Sequence, residues 1–354
     1  MNQRTHGVRF VLVAVAAALP AGVASAGDEA KGRDDTKIYR ENDAAVRKVP
    51  GDFWGTVLCA KKGEIVFARG YGYADYDKKP NGADTLYEIA SCTKQFTATA
   101  VLRLEQQKKL KTTDTLDKHM KGVPADKKKI TIDHLLHHIS GISGKVGVPY
   151  AYTGTRDAYL EKMLAEPLAS EPGTKYEYCN VGYAMLAAIV EIASGREFEE
   201  YCRKELFAPA GLVDTGFIGD ERLVNSARIT VRKCDDCQPG WTAAKWWYGW
   251  GYRGMGGIVT TAPDLLRWDR ALRGDKILNA AQKAKLYEPA LETYACGWMV
   301  GTSGGGKKVT HGGGVRGYGC VISRWLDADV VVIVLSNGKV SPLTIEAAVA
   351  RPLF

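Results

Sequence analysis

The chain has 354 residues, of which 45% are hydrophobic and 25% charged, and its formal net charge is +8 at pH 7. That length suits one large domain or two closely joined lobes. The lysines are dispersed in short clusters such as Lys127-Lys128-Lys129, without the concentrated basic stripe and aromatics of a nucleic-acid footprint, so nucleic acid is excluded as a partner.

In chain order, Arg4 and Arg9 precede an apolar run from Phe10 to Ala18, and Ala24-Ser25-Ala26 has the form of a cleavage site. Residues 1–26 are therefore expected to be a secretory signal peptide, because the run is short for a span of ~20 residues. Export follows, to a periplasmic or extracellular location, with no membrane span after cleavage. Residues 27–42 are polar and charged and read as a mobile lead-in. Gly55 to Ala60 and Glu64 to Tyr71 are strand-like runs around the turn Lys61-Lys62-Gly63, which predicts a hairpin.

A mostly helical stretch follows. Thr93 to Gln107 carries Phe96, Ala100, Val101 and Leu104 at helical spacing, with Ser91 at its N-terminal end. Tyr159 to Leu164, Tyr183 to Ser194 (closed by Gly195) and Phe198 to Leu206 read as further helices. Strands return at Lys307 to His311, Gly319 to Trp325 and Val330 to Ser336, the last apolar enough to be buried on both faces. A helix over Leu343 to Val349 ends the chain. The expected fold is α/β, an antiparallel sheet built from both chain ends and flanked by helices, with an inserted mostly helical lobe. Residues 43–354 form one domain, with a sheet lobe from about 43–85 and 290–354.

Three short segments carry chemistry. Ser91-Cys92-Thr93-Lys94 places a hydroxyl and an amine three residues apart, on one face of a helix. A serine hydroxyl needs a base to take its proton, and Lys94 can serve once burial and the positive helix end lower its pKa. The same helix end lets the Ser91 N–H face an oxyanion. Tyr178-Cys179-Asn180 supplies a phenol to shuttle the proton and an amide to orient Lys94 and the substrate, although Asn180 also suits a helix cap. His311-Gly312-Gly313, with Gly314 behind it, puts an imidazole and close-approach glycines on an expected edge strand, where an extended substrate could pair. The Gly314 N–H would be the second oxyanion donor.

The eight cysteines include Cys234-Asp235-Asp236-Cys237, open to three readings: a local disulfide, half of a metal site, or two free thiols. No second CxxC or His pair at ligand spacing completes a zinc site, so no metal is expected, and no cofactor is implied. Trp241, Trp246, Trp247, Tyr248, Trp250 and Tyr252 could either wall an acyl pocket or pack against the helical lobe.

With these segments the chain resembles the serine hydrolases of the class C β-lactamase, penicillin-binding and D,D-carboxypeptidase type, over roughly Gly55 to Gly338. Gly70-Tyr71-Gly72-Tyr73-Ala74-Asp75, His134-Leu135-Leu136-His137-His138-Ile139-Ser140-Gly141 and Gly256-Gly257-Ile258 match family habits too. The resemblance implies that Ser91 is acylated, that Lys94 and Tyr178 transfer protons, and that Asn180, His311, Gly313 and Gly314 bind substrate. It implies a small-molecule or peptidoglycan-derived substrate and leaves oligomeric state open. His311 stands where many class C β-lactamases carry Lys; a neutral imidazole grips a carboxylate less firmly, which argues against efficient β-lactam turnover. Arg316 is a second candidate cation, against the plainer reading of a solvent-facing side chain. Cys92 and Cys179, each beside a catalytic group, are candidates for a pair that braces the site. The competing reading is a penicillin-binding receptor or scaffold with little turnover.

Overall fold

The computed structural model describes residues 36–144, 152–231, 242–243 and 248–354. The expected signal peptide, the Cys234/Cys237 pair and Trp241, Trp246 and Trp247 lie outside them. Part of the expected lead-in does not: Lys37–Lys48 forms helix α1, capped by the Thr36 side chain on the Tyr39 N–H. Sequence reading missed it because its buried face uses only Tyr39, Val46 and the polar Asn42, whose amide donates to the Ile38 carbonyl.

Strands β1 (Gly55–Lys61) and β2 (Glu64–Tyr71) form the expected hairpin. Its two-residue turn, Lys62 and Gly63, has φ of 52° and 77°, so both residues are left-handed as a tight antiparallel turn demands. Next come the short strand β3 (Tyr87–Glu88), a 3-10 turn over Ala90–Cys92 and helix α2 (Thr93–Gln106). Helices α3 (Ile132–Leu136), α4 (Arg156–Ala165), α5 (Asn180–Ser194) and α6 (Phe198–Cys202) follow, the last continuing through a π turn at Arg203–Phe207. Strands β4 (Gly216–Phe217) and β5 (Ile258–Thr260) join β3 in a small sheet, and α7 (Ala262–Arg273) leads back toward the main one.

The main sheet is completed by β6 (Met299–Ser303), β7 (Gly306–Val315), β8 (Tyr318–Trp325) and β9 (Val330–Ser336), in the order β2-β1-β9-β8-β7-β6, antiparallel throughout. Helix α8 (Pro342–Ala350) packs with α1 on one face. Strand β9 shows why it is the sheet's centre. Val330, Val332 and Val334 point into the α1/α8 layer, whereas Val331, Ile333 and Leu335 point into the larger core with α2, α5 and α7. Each such side chain contributes roughly 1.5–3 kcal/mol by leaving water.

Strand β7 corrects an expectation. It is not the edge strand, because β6 covers it from Gly306 to Thr310. That cover stops at the pair Met299–Thr310, so on that side His311 to Val315 have no ladder partner among the described residues. One buried ion cluster ties helix to sheet: Asp269 of α7, 0% exposed, pairs with Arg324 of β8, 4% exposed, and with Arg273 at 2.7 Å.

Candidate active site

The turn before α2 is held from both sides. The Ile89 N–H donates to the Ile258 carbonyl of β5 at 3.0 Å, and the Ile258 N–H donates to Thr93 Oγ1 at 3.3 Å. Between these anchors Ala90 sits at φ 42°, a left-handed conformation that costs a non-glycine residue about 1 kcal/mol or more. Ser91 follows in the 3-10 turn and lines a cavity of about 740 Å³.

Lys94 lies one turn further along, 0% exposed. Its Nζ donates to Ser91 Oγ at 3.0 Å and to the Met255 carbonyl at 3.1 Å. It faces the rings of Tyr178 and Tyr183, 4.9 and 5.6 Å from their centroids. Burial strips water from the ammonium and brings the Lys94 pKa down to about 7, against an opposing pull from the Cys92 and Cys179 thiols. The amine is therefore substantially neutral near pH 7, and its lone pair can take the Ser91 proton.

Tyr178 is 39% exposed and lines the cavity with Tyr176 and Tyr294. Its ring packs 4.4 Å from that of His138 and 6.5 Å from that of His311. Asn180 is half-buried and is the first residue of α5; the cap position belongs to Cys179, so the helix starts three residues earlier than Tyr183 and Asn180 is not its cap. His311 is 4% exposed, with Nε2 2.9 Å from the Tyr294 hydroxyl and Nδ1 2.6 Å from the Gly312 carbonyl. A Cβ on Gly313 would stand 2.4 Å from the Ile89 carbonyl oxygen and 2.9 Å from Ser91 N, so only glycine lets β7 approach Ser91 this closely. Gly314 faces open space.

Ser91, Tyr178, His311, Gly313 and Gly314 thus share one cavity wall, whereas Lys94 and Asn180 do not line it. Arg316 is exposed and also off the wall. The thiol beside Cys92 is that of Cys320 on β8, with the sulfurs 3.1 Å apart, rather than that of Cys179. Tyr248, Trp250 and Tyr252 do not line the cavity. Trp250 and Tyr252 are buried, and the Tyr252 hydroxyl donates to Glu88.

Sequence reading gave no role to Tyr294, to the Met255 carbonyl or to His138. The Cys179 N–H donates to His138 Nδ1 at 3.1 Å, and burial pushes the His138 pKa well below its ordinary value, so this ring is a neutral brace under Tyr178. Only the run of two histidines, His137-His138, hinted at it.

Residues 42–351 match the family model described as Beta-lactamase. Penicillin-binding protein 4* of Bacillus subtilis (strain 168) is 30% identical over 316 residues, covering 80% of this chain and 68% of its own. The octameric penicillin-binding protein homologue from Pyrococcus abyssi superposes with a TM-score of 0.74 at 26% identity, over 89% of this chain and 75% of that one. The D-amino acid amidase from Ochrobactrum anthropi SV3 shares the fold with a TM-score of 0.76 at 20% identity, over 90% and 98%.

Proposed function

The chain belongs to the β-lactamase and penicillin-binding family of serine hydrolases, and from that premise we propose that it is an exported enzyme cleaving an ester or amide through an acyl-enzyme on Ser91. The observation that carries the reading is the buried Lys94 amine, 3.0 Å from Ser91 Oγ and poised near neutrality. In this reading Lys94 accepts the Ser91 proton as Oγ attacks the substrate carbonyl. The Ser91 and Gly314 N–H groups hold the oxyanion, a contribution of roughly 3–4 kcal/mol per donor in such sites. Tyr178 passes the proton to the leaving group, Asn180 orients the substrate amide, and a water then releases the acyl group. The substrate, a small molecule or a peptidoglycan fragment, would lie extended along the uncovered edge from His311 to Val315. Export rests on the Arg4, Arg9 and Phe10 to Ala18 pattern; among the described residues no helix is long and apolar enough to cross a membrane.

Mass spectrometry after treatment with a fluorophosphonate, and separately with penicillin, tests this reading. One adduct on Ser91 is expected, with none in Ser91→Ala. Unlabelled wild-type protein, or labelling that survives the substitution, would remove Ser91 from the mechanism. Rapid loss of the penicillin adduct would mean β-lactam turnover, and its persistence an esterase, peptidase or receptor.

A further inference from the structure

Two thiols meet beside Ser91. Cys92 ends the 3-10 turn that carries Ser91, with its N–H donating to the Ile89 carbonyl at 2.9 Å. Cys320 sits within the sheet on β8, paired with Gly313 of β7 on one side and Leu335 of β9 on the other. Their sulfurs are 3.1 Å apart. A disulfide needs them about 1 Å closer, at roughly 2.05 Å. Each sulfur also meets a backbone carbonyl, that of His311 at 3.1 Å for Cys92 and that of Ile89 at 2.9 Å for Cys320. A Cβ on Gly313 would come within 2.8 Å of the Cys320 sulfur, so the glycine that admits Ser91 also makes room for this pair. Cys92 is 1% exposed and off the cavity wall, whereas Cys320 lines the same cavity as Ser91. The other free thiols among the described residues are placed differently. Cys296 meets His137 and the Lys285 carbonyl, and Cys59, Cys179 and Cys202 are buried away from the cavity.

We propose that Cys92 and Cys320 are an oxidation site, closed to a disulfide by a peroxide that enters the Ser91 cavity, and that the bond ties the Ser91 turn to the sheet. The cavity presents the Cys320 sulfur, so Cys320 is the nucleophile and Cys92 the base beside it. Burial pushes the Cys320 thiol above the usual range; against the same cost of burial, hydrogen bonding with Cys320 brings Cys92 below it. As the Cys320 sulfur attacks one peroxide oxygen, its proton passes to the Cys92 thiolate. The O–O bond breaks, hydroxide leaves, and Cys320 becomes a sulfenic acid. That hydroxide takes the proton from Cys92 and becomes water. The Cys92 thiolate then attacks the Cys320 sulfur, the S–O bond breaks, and a second hydroxide leaves. Overall a thiol and a thiolate give up one proton and two electrons, and the peroxide is reduced to water and hydroxide.

The test treats the full chain, reduced with a phosphine and then cleared of it, with a slight excess of hydrogen peroxide near neutral pH. Remaining thiols are capped with iodoacetamide in denaturant, and the protein is digested without reductant. Mass spectrometry should find the Cys92 and Cys320 peptides joined, lighter by two hydrogens than the two thiol peptides together. Cys59, Cys179, Cys202 and Cys296 should be recovered capped. The oxidised protein should melt about 5 °C above the reduced one, because the bond joins residues 228 apart in the chain, and a phosphine should reverse the gain. Cys320→Ala should lack both the joined peptide and that gain. Recovery of Cys92 and Cys320 as capped thiols, Cys320 ending as a sulfinic acid, or Cys92 joined to another cysteine would overturn the proposal. So would joined peptides with an unmoved melting temperature, because the bond would then tie nothing. Should Cys320→Ala fail to fold, the wild-type peptide map in the two redox states decides alone. The bond stands apart from the acyl-enzyme reading: Ser91→Ala should form it equally, so a missing Ser91 adduct and a missing disulfide are separate failures.

Discussion

Two of the buried cations among the described residues, Arg324 and Lys94, are treated in opposite ways. Arg324, between β8 and α7, has a carboxylate partner in Asp269 and a phenol partner in Tyr287. Lys94, at the start of α2, has a hydroxyl, a carbonyl and two aromatic faces. The first arrangement keeps a charge and ties a helix to the sheet. The second gives the charge no carboxylate partner, and burial brings its pKa down to about 7, so the amine can shed its proton near neutrality. Similar burial thus goes with a kept charge in one place and a lowered pKa in the other, and what differs is the company each cation keeps.

That contrast can be broken by substituting methionine at each site. Lys94→Met should slow Ser91 acylation by roughly 10³-fold, the ordinary scale for losing a general base, as read by the rate of fluorophosphonate labelling. A near-wild-type rate would show that Lys94 is only packing. Arg324→Met should leave the labelling rate of folded protein close to wild type but cost up to about 3 kcal/mol in denaturant unfolding, because it leaves the buried Asp269 carboxylate with Arg273 in place of two cations. A loss below about 1 kcal/mol would mean that the pair is no strut. Lys94→Met should move stability the other way. The folded Lys94 pKa of about 7 lies below the unfolded value of ~10.4, so between those limits the unfolded chain binds more protons and wild-type stability rises with pH. The methionine variant should therefore be more stable than wild type at pH 6, by about 1–3 kcal/mol after allowing for the two lost hydrogen bonds. That advantage should fade toward pH 10; a stability difference that ignores pH would contradict the account. The smallest effect is on rate: wild-type acylation should climb about tenfold from pH 6 to a plateau near pH 8 as Lys94 deprotonates. A flat profile would separate the rate from this amine.

What could be read beforehand was whatever is local. The helix carrying Lys94, with Ser91 at its N-terminal end, and the strand Val330–Ser336 declare themselves within a dozen residues through spacing and β-branching. What escaped depends on distant partners or on surfaces without pattern. Strand β6, Met-Val-Gly-Thr-Ser, is mostly exposed and shows no alternation, so nothing marked it as a strand or warned that β7 would be half covered. Tyr294 meets His311 only because the chain bridges Tyr294 to Met299 and then runs back along β7. The partner of Cys92 lies 228 residues away on β8, where no spacing rule could have pointed to it. Helix α1 was hidden by the polar composition of its first half.

One further property follows from the place where β6 stops. The sheet is built six strands wide but is short of a rung beside Ser91, and an extended guest would supply the missing backbone partners itself. Lengthening β6 by a few residues ahead of Met299 would fill that gap with the protein's own chain. Access could thus be closed by a change in loop length alone, with every reactive group left intact.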